Sequence, residues 1–260
     1  MDQIEKMKIG LSELAWDNTI DLDKLLIELI RYDISFVELI IPKHINWDLI
    51  ETTQLKYFLD TLNRFNINIE STQSILFNSK VKSISNNSLF IDHMNTVFDI
   101  CKKFSIKKIV LGAPSLRQNC DIEELVSAFK QLDLKLNNTD QILLLEPNSR
   151  QYNGDYFFTV DEIVSFIKKN NFKNIKTMID THNIILENQS PSSIFTTYYD
   201  YIDHIHVSEI NLDSFKPSND HYELANKLKE FNYKGLVIYE CKKSNTLIED
   251  VKLFSNIYNK

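Results

Sequence analysis

Four short apolar runs in the second half of the chain each end on a side chain able to bind a metal. They are Ile-Leu-Leu-Leu-Glu146, Thr-Met-Ile-Asp180, His204-Ile-His206 and Leu-Val-Ile-Tyr-Glu240. They recur roughly every 30 residues, about the length of one βα unit. Two Glu, one Asp and one His brought to one place form an oxygen-rich donor set with a single imidazole. That set suits one divalent metal ion such as Mn²⁺, Mg²⁺, Co²⁺ or Zn²⁺. Glu146 and Glu240 suggest more than ligation. Two carboxylates facing opposite sides of a small molecule can remove a proton beside a carbonyl and return it on the other face, while a cation steadies the enediolate between the two steps. Each residue also has an ordinary alternative. A strand-end Glu is commonly a solvated rim charge, Asp180 before Thr181 can cap a helix, and one of the two His can be a core histidine.

Other polar and aromatic residues fall just past apolar runs and suit recognition of a sugar, whose hydroxyls need amides and carboxylates and whose apolar face stacks on a ring. Trp16 follows the first run beside Glu13, Gln73 ends the third, and Arg117 follows the Gly112-Ala113-Pro114 turn. Asn148, Tyr152, His182, Glu209 and His221 lie beyond the later runs. Glu38 lies within the second run, where an inward-facing carboxylate would need a partner such as His206 or a Lys.

The elements that must position these residues alternate from end to end. Strand-like runs cover 7–12, 35–41, 67–73, 107–112, 141–146, 175–180, 203–208 and 235–240. Helical spacing covers 22–32, 53–65, 87–104, 121–136, 160–170, 192–200, 219–232 and 246–258. Asp121 is placed to cap the fourth helix, and Asp161-Glu162 with Lys168-Lys169 complement the dipole of the fifth. Eight βα repeats with short connections predict a (β/α)8 barrel over 1–260, a single domain with no Pro/Gly/Ser linker. In such a barrel the C-terminal strand ends converge on one mouth, where active sites are built. Two longer segments leave that face, 74–87 and 147–159, and are candidate lids.

Composition narrows the classes. A formal charge of −7 opposes general affinity for nucleic acid, which needs a basic face. No apolar stretch reaches ~18 residues, so no membrane span is expected. The opening Met-Asp-Gln-Ile-Glu-Lys lacks a signal pattern. Cys101, Cys120 and Cys241 have no metal-like spacing and suggest a reducing, cytoplasmic setting, with Cys241 read as packing. With only four Gly there is no Gly-rich phosphate cradle.

The chain resembles the xylose isomerase-like TIM-barrel superfamily, in particular its sugar phosphate isomerase/epimerase branch, the relatives of D-tagatose 3-epimerase. The resemblance runs through Lys8-Ile9-Gly10-Leu-Ser-Glu-Leu-Ala-Trp16-Asp17, Gln73-Ser-Ile-Leu-Phe77 and Gly112-Ala-Pro-Ser-Leu-Arg117. It continues in Leu145-Glu146-Pro147-Asn148, Tyr152-Asn-Gly154-Asp155-Tyr-Phe157, Asp180-Thr181, His204-Ile-His206-Val-Ser-Glu209, Asp220-His221 and Tyr239-Glu240. It implies that Glu146, Asp180, His206 and Glu240 hold the metal and that Glu146 and Glu240 are the acid/base pair. The pattern departs at Asn183, where ketose 3-epimerases carry His, and at Leu212, where they carry Arg. A carboxylate that helps bind ketose is replaced around Tyr152. Arg117, Lys242 and Lys243 are the cations that would have to meet a phosphate.

These observations predict a metal-dependent sugar isomerase or epimerase acting on a small-molecule sugar substrate, and the resemblance implies an unusual-sugar or polysaccharide pathway. No nucleic-acid or membrane partner is expected, and relatives assemble as dimers or tetramers, so a homo-oligomer is allowed. Two other functions share the scaffold. An apurinic-type endonuclease needs a three-zinc cluster and a basic groove, which six His and the acidic charge oppose. A catalytically inactive barrel that binds a ligand or partner is opposed by intact Glu146, Asp180, His206 and Glu240.

Overall fold

The apolar runs are too rich in Val, Ile and Leu on both faces to suit a sheet with one wet side, and they form a parallel sheet covered throughout. In the computed structural model, which describes residues 7–85 and 88–259, eight strands close into a barrel in chain order. They are β1 (Lys8–Ser12), β2 (Phe36–Ile40), β3 (Ser71–Gln73), β4 (Lys108–Leu111), β5 (Ile142–Leu145), β6 (Ile175–Asp180), β7 (Ile202–Ser208) and β8 (Leu236–Glu240). Closure comes from β8 pairing with β1, with Lys8 opposite Leu236 and Leu11 opposite Tyr239. The expected strands coincide with the observed ones to within a few residues at each end. The expectations for 1–6, for 86–87 at the start of the third helix and end of the first long loop, and for 260 lie outside the described residues.

Outside the barrel run α1 (Leu22–Arg31), α2 (Thr53–Arg64), α3 (Ser88–Lys103), α4 (Ile122–Leu136), α5 (Val160–Asn170), α6 (Thr181–Leu186), α7 (Pro191–Tyr198), α8 (Asn219–Glu230) and α9 (Leu247–Tyr258). Asp121 caps α4, accepting from the amides of Glu123 and Glu124. Acidic Asp161 and Glu162 open α5 and Lys168 and Lys169 close it. The short α6 is additional to the expected helices. Its six residues are too few to show a helical period, and it forms because Asp180 accepts from the Asn183 amide at 2.8 Å.

Two apolar layers result from the twofold alternation along each strand. Ile9, Leu11, Val37, Leu39, Ile109, Leu111, Leu143, Leu145, Ile179, Ile205, Val207, Val237 and Tyr239 point outward into the main core against the helices. The opposite faces fill the barrel interior, where Phe36, Leu236 and Ile238 form one cluster and Val110, Leu144 and Met178 another. Gly10 is required here, since a β-carbon would press on Ile238 and on the Phe36 backbone. Two residues beyond Leu144, Met178 and Ile238 on the same inward faces come Glu146, Asp180 and Glu240.

Candidate active site

The alternation that fills the barrel therefore also brings the strand-end carboxylates to its C-terminal mouth. Asp180 lies in register with His206 across β6 and β7, and Glu240 with Ser208 across β7 and β8. Ligand atoms of Glu146, Asp180 and His206 lie within 4.8 Å of one another. His206 Nδ1 stands 3.5 Å from Glu240 Oε2 and 3.6 Å from Glu146 Oε1. Asp180 Oδ1 accepts from the Asn183 amide and from Ser208 Oγ at 3.0 Å, which leaves Oδ2 for a ligand. Asp180 thus serves as a cap and as a member of the cluster, two roles that the sequence left as alternatives. Asn148 Nδ2 donates to Glu146 Oε2 at 3.2 Å and orients that carboxylate.

Beneath the cluster, Glu38 is completely buried inside the barrel. Its two oxygens lie 2.8 Å from His204 Nε2 and 2.7 Å from His206 Nε2. The Gln73 amide donates to Glu38 Oε2 at 2.9 Å and to Ser12 Oγ at 2.8 Å. Glu38 occupies one ring nitrogen of His206 and so turns the other, Nδ1, toward Glu146 and Glu240. A carboxylate behind a ligating His commonly fixes ring orientation in this way. His204, the other histidine of the motif, lies deeper in the barrel floor with Glu38.

The charges in this cluster are unbalanced. Burial, with Glu146 and Glu240 alongside, pushes the Asp180 carboxyl up to about 7. Burial also opposes protonation of His206, but Glu38 and Glu240 outweigh it and hold its pKa well above the ordinary imidazole value. Neither ring nitrogen of His206 makes a well-aligned hydrogen bond; Nε2 has the Glu38 carboxylate at 2.7 Å as an ion pair, whereas Nδ1 has only Glu240 and Glu146 at 3.5 and 3.6 Å. Converging carboxylates and an imidazole nitrogen without a close partner form a donor set that fits a divalent cation, with Glu146, Asp180, His206 and Glu240 as the residues to hold it.

A cavity of about 340 Å³ opens over these groups, lined by Pro114, Glu146, Asn148, Tyr152, Asp180, His182, Asn183, Asn211, Leu212, Glu240 and Lys242. Asn148, Tyr152 and His182 are therefore where the sequence placed them, and Tyr152 Oη lies 3.2 Å from His182 Nε2. Gln73 lines an adjoining cavity. The remaining expected substrate ligands are elsewhere. Arg117 is 1 % exposed, and its guanidinium donates to the carbonyls of Gly112 at 2.6 Å, Glu146 at 2.9 Å and Leu111 at 3.2 Å. It ties loops together and lines neither mouth cavity. Trp16 packs in the outer core, and its carbonyl accepts from Lys43. His221 is held between Glu209 Oε1 and Tyr258 Oη, at 3.1 Å each, under the Phe215 ring. Glu209 and His221 thus brace α8 against α9 and the loop after β7. Lys243 pairs with Asp17 at 2.8 Å, so of the cations considered for a phosphate only Lys242 lines the site.

Some site features escaped the sequence. The Asn183 side chain accepts from the Ser149 amide at 3.0 Å and fastens the loop after β5 to α6, a role no local pattern signals. Gly112 leaves space for Glu146, because a β-carbon there would overlap Glu146 Oε2. Its place at the end of the strand-like run 107–112 was the available signal.

The family described as xylose isomerase-like TIM barrel matches residues 28–256. The chain belongs to that family. Within and around the xylose isomerase-like barrels, a D-psicose 3-epimerase from Enterocloster bolteae is 24% identical over 135 residues, 51% of this chain and 44% of that one. The match thus spans less than half the length of that relative. A 3-keto-D-glucoside 4-epimerase from E. coli superposes with a TM-score of 0.78 at 15% identity, covering 96% of this chain and all of the other. A family 2 AP endonuclease from Brucella melitensis superposes at 0.76 with 14% identity, covering 98% and 100%. At these identities the structural likenesses establish the shared barrel.

Proposed function

We propose that this chain is a divalent-metal-dependent sugar epimerase or isomerase that moves a proton on a carbon beside a carbonyl, with Glu146 and Glu240 as the acid–base pair. The observation that carries this reading is the approach of both carboxylates to His206 Nδ1, beside Asp180, at the floor of one mouth cavity. A divalent cation held there supplies positive charge to substrate oxygens and stabilises the anion left when the proton departs. One Glu takes the proton from its side of the sugar, and the other returns a proton from its own side. Asn148 keeps Glu146 oriented for that exchange. Tyr152 and His182, on the wall, offer a hydroxyl and a ring nitrogen to sugar hydroxyls. Two of the similar proteins are a psicose 3-epimerase and a keto-glucoside 4-epimerase, activities that proton exchange of this kind can perform.

The endonuclease reading draws on the Brucella likeness. It fits less well, since the chain carries a charge of −7 and the two clusters of metal-binding groups found among the described residues share His206.

Solvent exchange is the direct test. Metal-loaded protein in D₂O, offered ketoses, keto-glycosides and sugar phosphates, should place deuterium on the carbon next to the carbonyl of at least one. Glu146→Gln and Glu240→Gln should each lower that incorporation by 100-fold or more, in keeping with about 10²–10⁴ for a general acid or base. Near wild-type exchange in either variant would refute the two-carboxylate scheme. Metal binding without exchange on any sugar would favour a barrel that only binds.

A further inference from the structure

The mouth offers more room than a single reacting sugar ring fills. Beside the cavity over Asp180 and Glu240 lies a second one, of about 400 Å³, bounded by the loop after β3, the end of β4 and the loop after β4. The two linings have Glu146 in common. Strand order places one lobe over β3 to β5 and the other over β5 to β8, so the proposed acid–base carboxylate stands where they meet.

The second lobe has a floor and a wall of distinct chemistry. Gln73 and Glu146 are its polar residues nearest the barrel, and Leu76, Val81 and Leu116 supply apolar surface. On its rim Phe77 is 64 % exposed, a large aromatic ring left to solvent. An exposed ring alone means little. Phe77 differs because its backbone is fixed while its ring is free. Its carbonyl accepts from Trp47 Nε1 at 2.9 Å, its amide donates to the Ser74 carbonyl at 2.9 Å, and left-handed Ser74 and Asn78 shape the turn on either side. A ring on a fixed backbone, at the rim of a groove floored by the Gln73 side-chain oxygen and a carboxylate, can stack on the apolar face of a pyranose whose hydroxyls those oxygens accept from.

We propose that this lobe is a subsite for a second sugar ring, making the substrate a glycoside or an oligosaccharide end and not a free monosaccharide. The reacting ring sits over Asp180 and Glu240, and the attached ring stacks on Phe77. This rests on the proton-exchange reading for the first lobe but not for the binding itself.

The test is calorimetric binding of glucose, cellobiose, maltose and lactose to metal-loaded wild type, Phe77→Ala and Phe77→Tyr, with deuterium exchange measured in parallel on free ketoses and on keto-glycosides. At least one disaccharide should bind about tenfold more tightly than glucose, as expected for one stacked ring. Phe77→Ala should remove that advantage and leave glucose unchanged, and Phe77→Tyr should keep it. No disaccharide advantage in wild type, or an advantage that survives Phe77→Ala, would overturn the subsite even if free ketoses exchange normally. Disaccharide binding that depends on Phe77, with no exchange on any sugar, would uphold the subsite and refute the proton-transfer reading instead.

Discussion

Gly112 and Glu146 show how closely the site is drawn. They follow β4 and β5, whose ends are in register at Leu111 and Leu145. A β-carbon at 112 would overlap the Glu146 carboxylate, the mobile end of a flexible side chain. The side chain can yield, so the fold should tolerate the change, but the carboxylate would leave its place beside His206 Nδ1 and lose its bond from Asn148. Gly112→Ala is therefore expected to fold with a midpoint close to wild type while deuterium exchange falls by at least 100-fold. A misplacement of a catalytic group by about 1 Å can cost that much. A variant with full exchange would show that the position of Glu146 is not critical, and one that fails to fold would assign Gly112 to packing alone.

At the scale of elements, Arg117 binds three of them together. Its guanidinium collects carbonyls from the end of β4, from Glu146 after β5, and at 3.4 Å from Tyr156 and Phe157 in the loop before α5, while lying over the Phe157 ring at 5.4 Å. Phe157 is buried with a left-handed φ of 67°, a conformation costly for a bulky residue and kept only where its surroundings hold it. Tyr156 Oη donates to the Cys120 carbonyl, and the Asn119 amide to Asp155. The segment 147–159, expected as a candidate lid, is thus pinned along its length. Arg117→Met should cost about 3 kcal/mol or more, because several buried carbonyls lose their donor together. Urea unfolding would measure the loss, and hydrogen exchange should rise first in 147–159; a variant with unaltered midpoint and exchange would refute the pinning. Arg117 also marks the limit of what the sequence made legible. Strand ends such as Glu146, Asp180 and Glu240 could be placed from local runs, since alternation within a short strand decides which side each residue faces. The direction in which Arg117 folds back, or the pairing of Glu209 with His221, depends on contacts between segments distant in the chain, which no local period encodes. Glu38 lay between these cases. Its need for a partner was legible, but its position between two histidines followed only from closure of the barrel.

For the molecule as a whole, the two ends of the barrel are built differently. At the N-terminal end, Lys108 donates to the Asp203 carbonyl and carboxylate, and Lys8 pairs with Glu70 at 2.8 Å, so these lysines meet opposite charge. Among the described residues no helix is long and apolar enough to cross a membrane. At the C-terminal end, carboxylates crowd around one imidazole, which costs the metal-free fold free energy through like-charge repulsion. A cation that binds the assembled site as proposed would then stabilise the whole barrel, because the proposed ligands lie on or just after β5, β6, β7 and β8 and are scattered in the unfolded chain. At a concentration about 100 times its Kd the gain is about 2.7 kcal/mol, and for a chain of this size that raises Tm by about 5–10 °C. Thermal scans of chelator-stripped protein with and without Mn²⁺ should show this shift. His206→Ala will itself lower Tm by leaving Glu38 short of a partner, so the decisive quantity is the change on adding Mn²⁺ within each variant, which should shrink to a degree or two. An equal Mn²⁺ shift in wild type and His206→Ala would remove His206 from the ligand set. No shift in either would show that Mn²⁺ does not bind the folded barrel, and would remove it from the proposed chemistry.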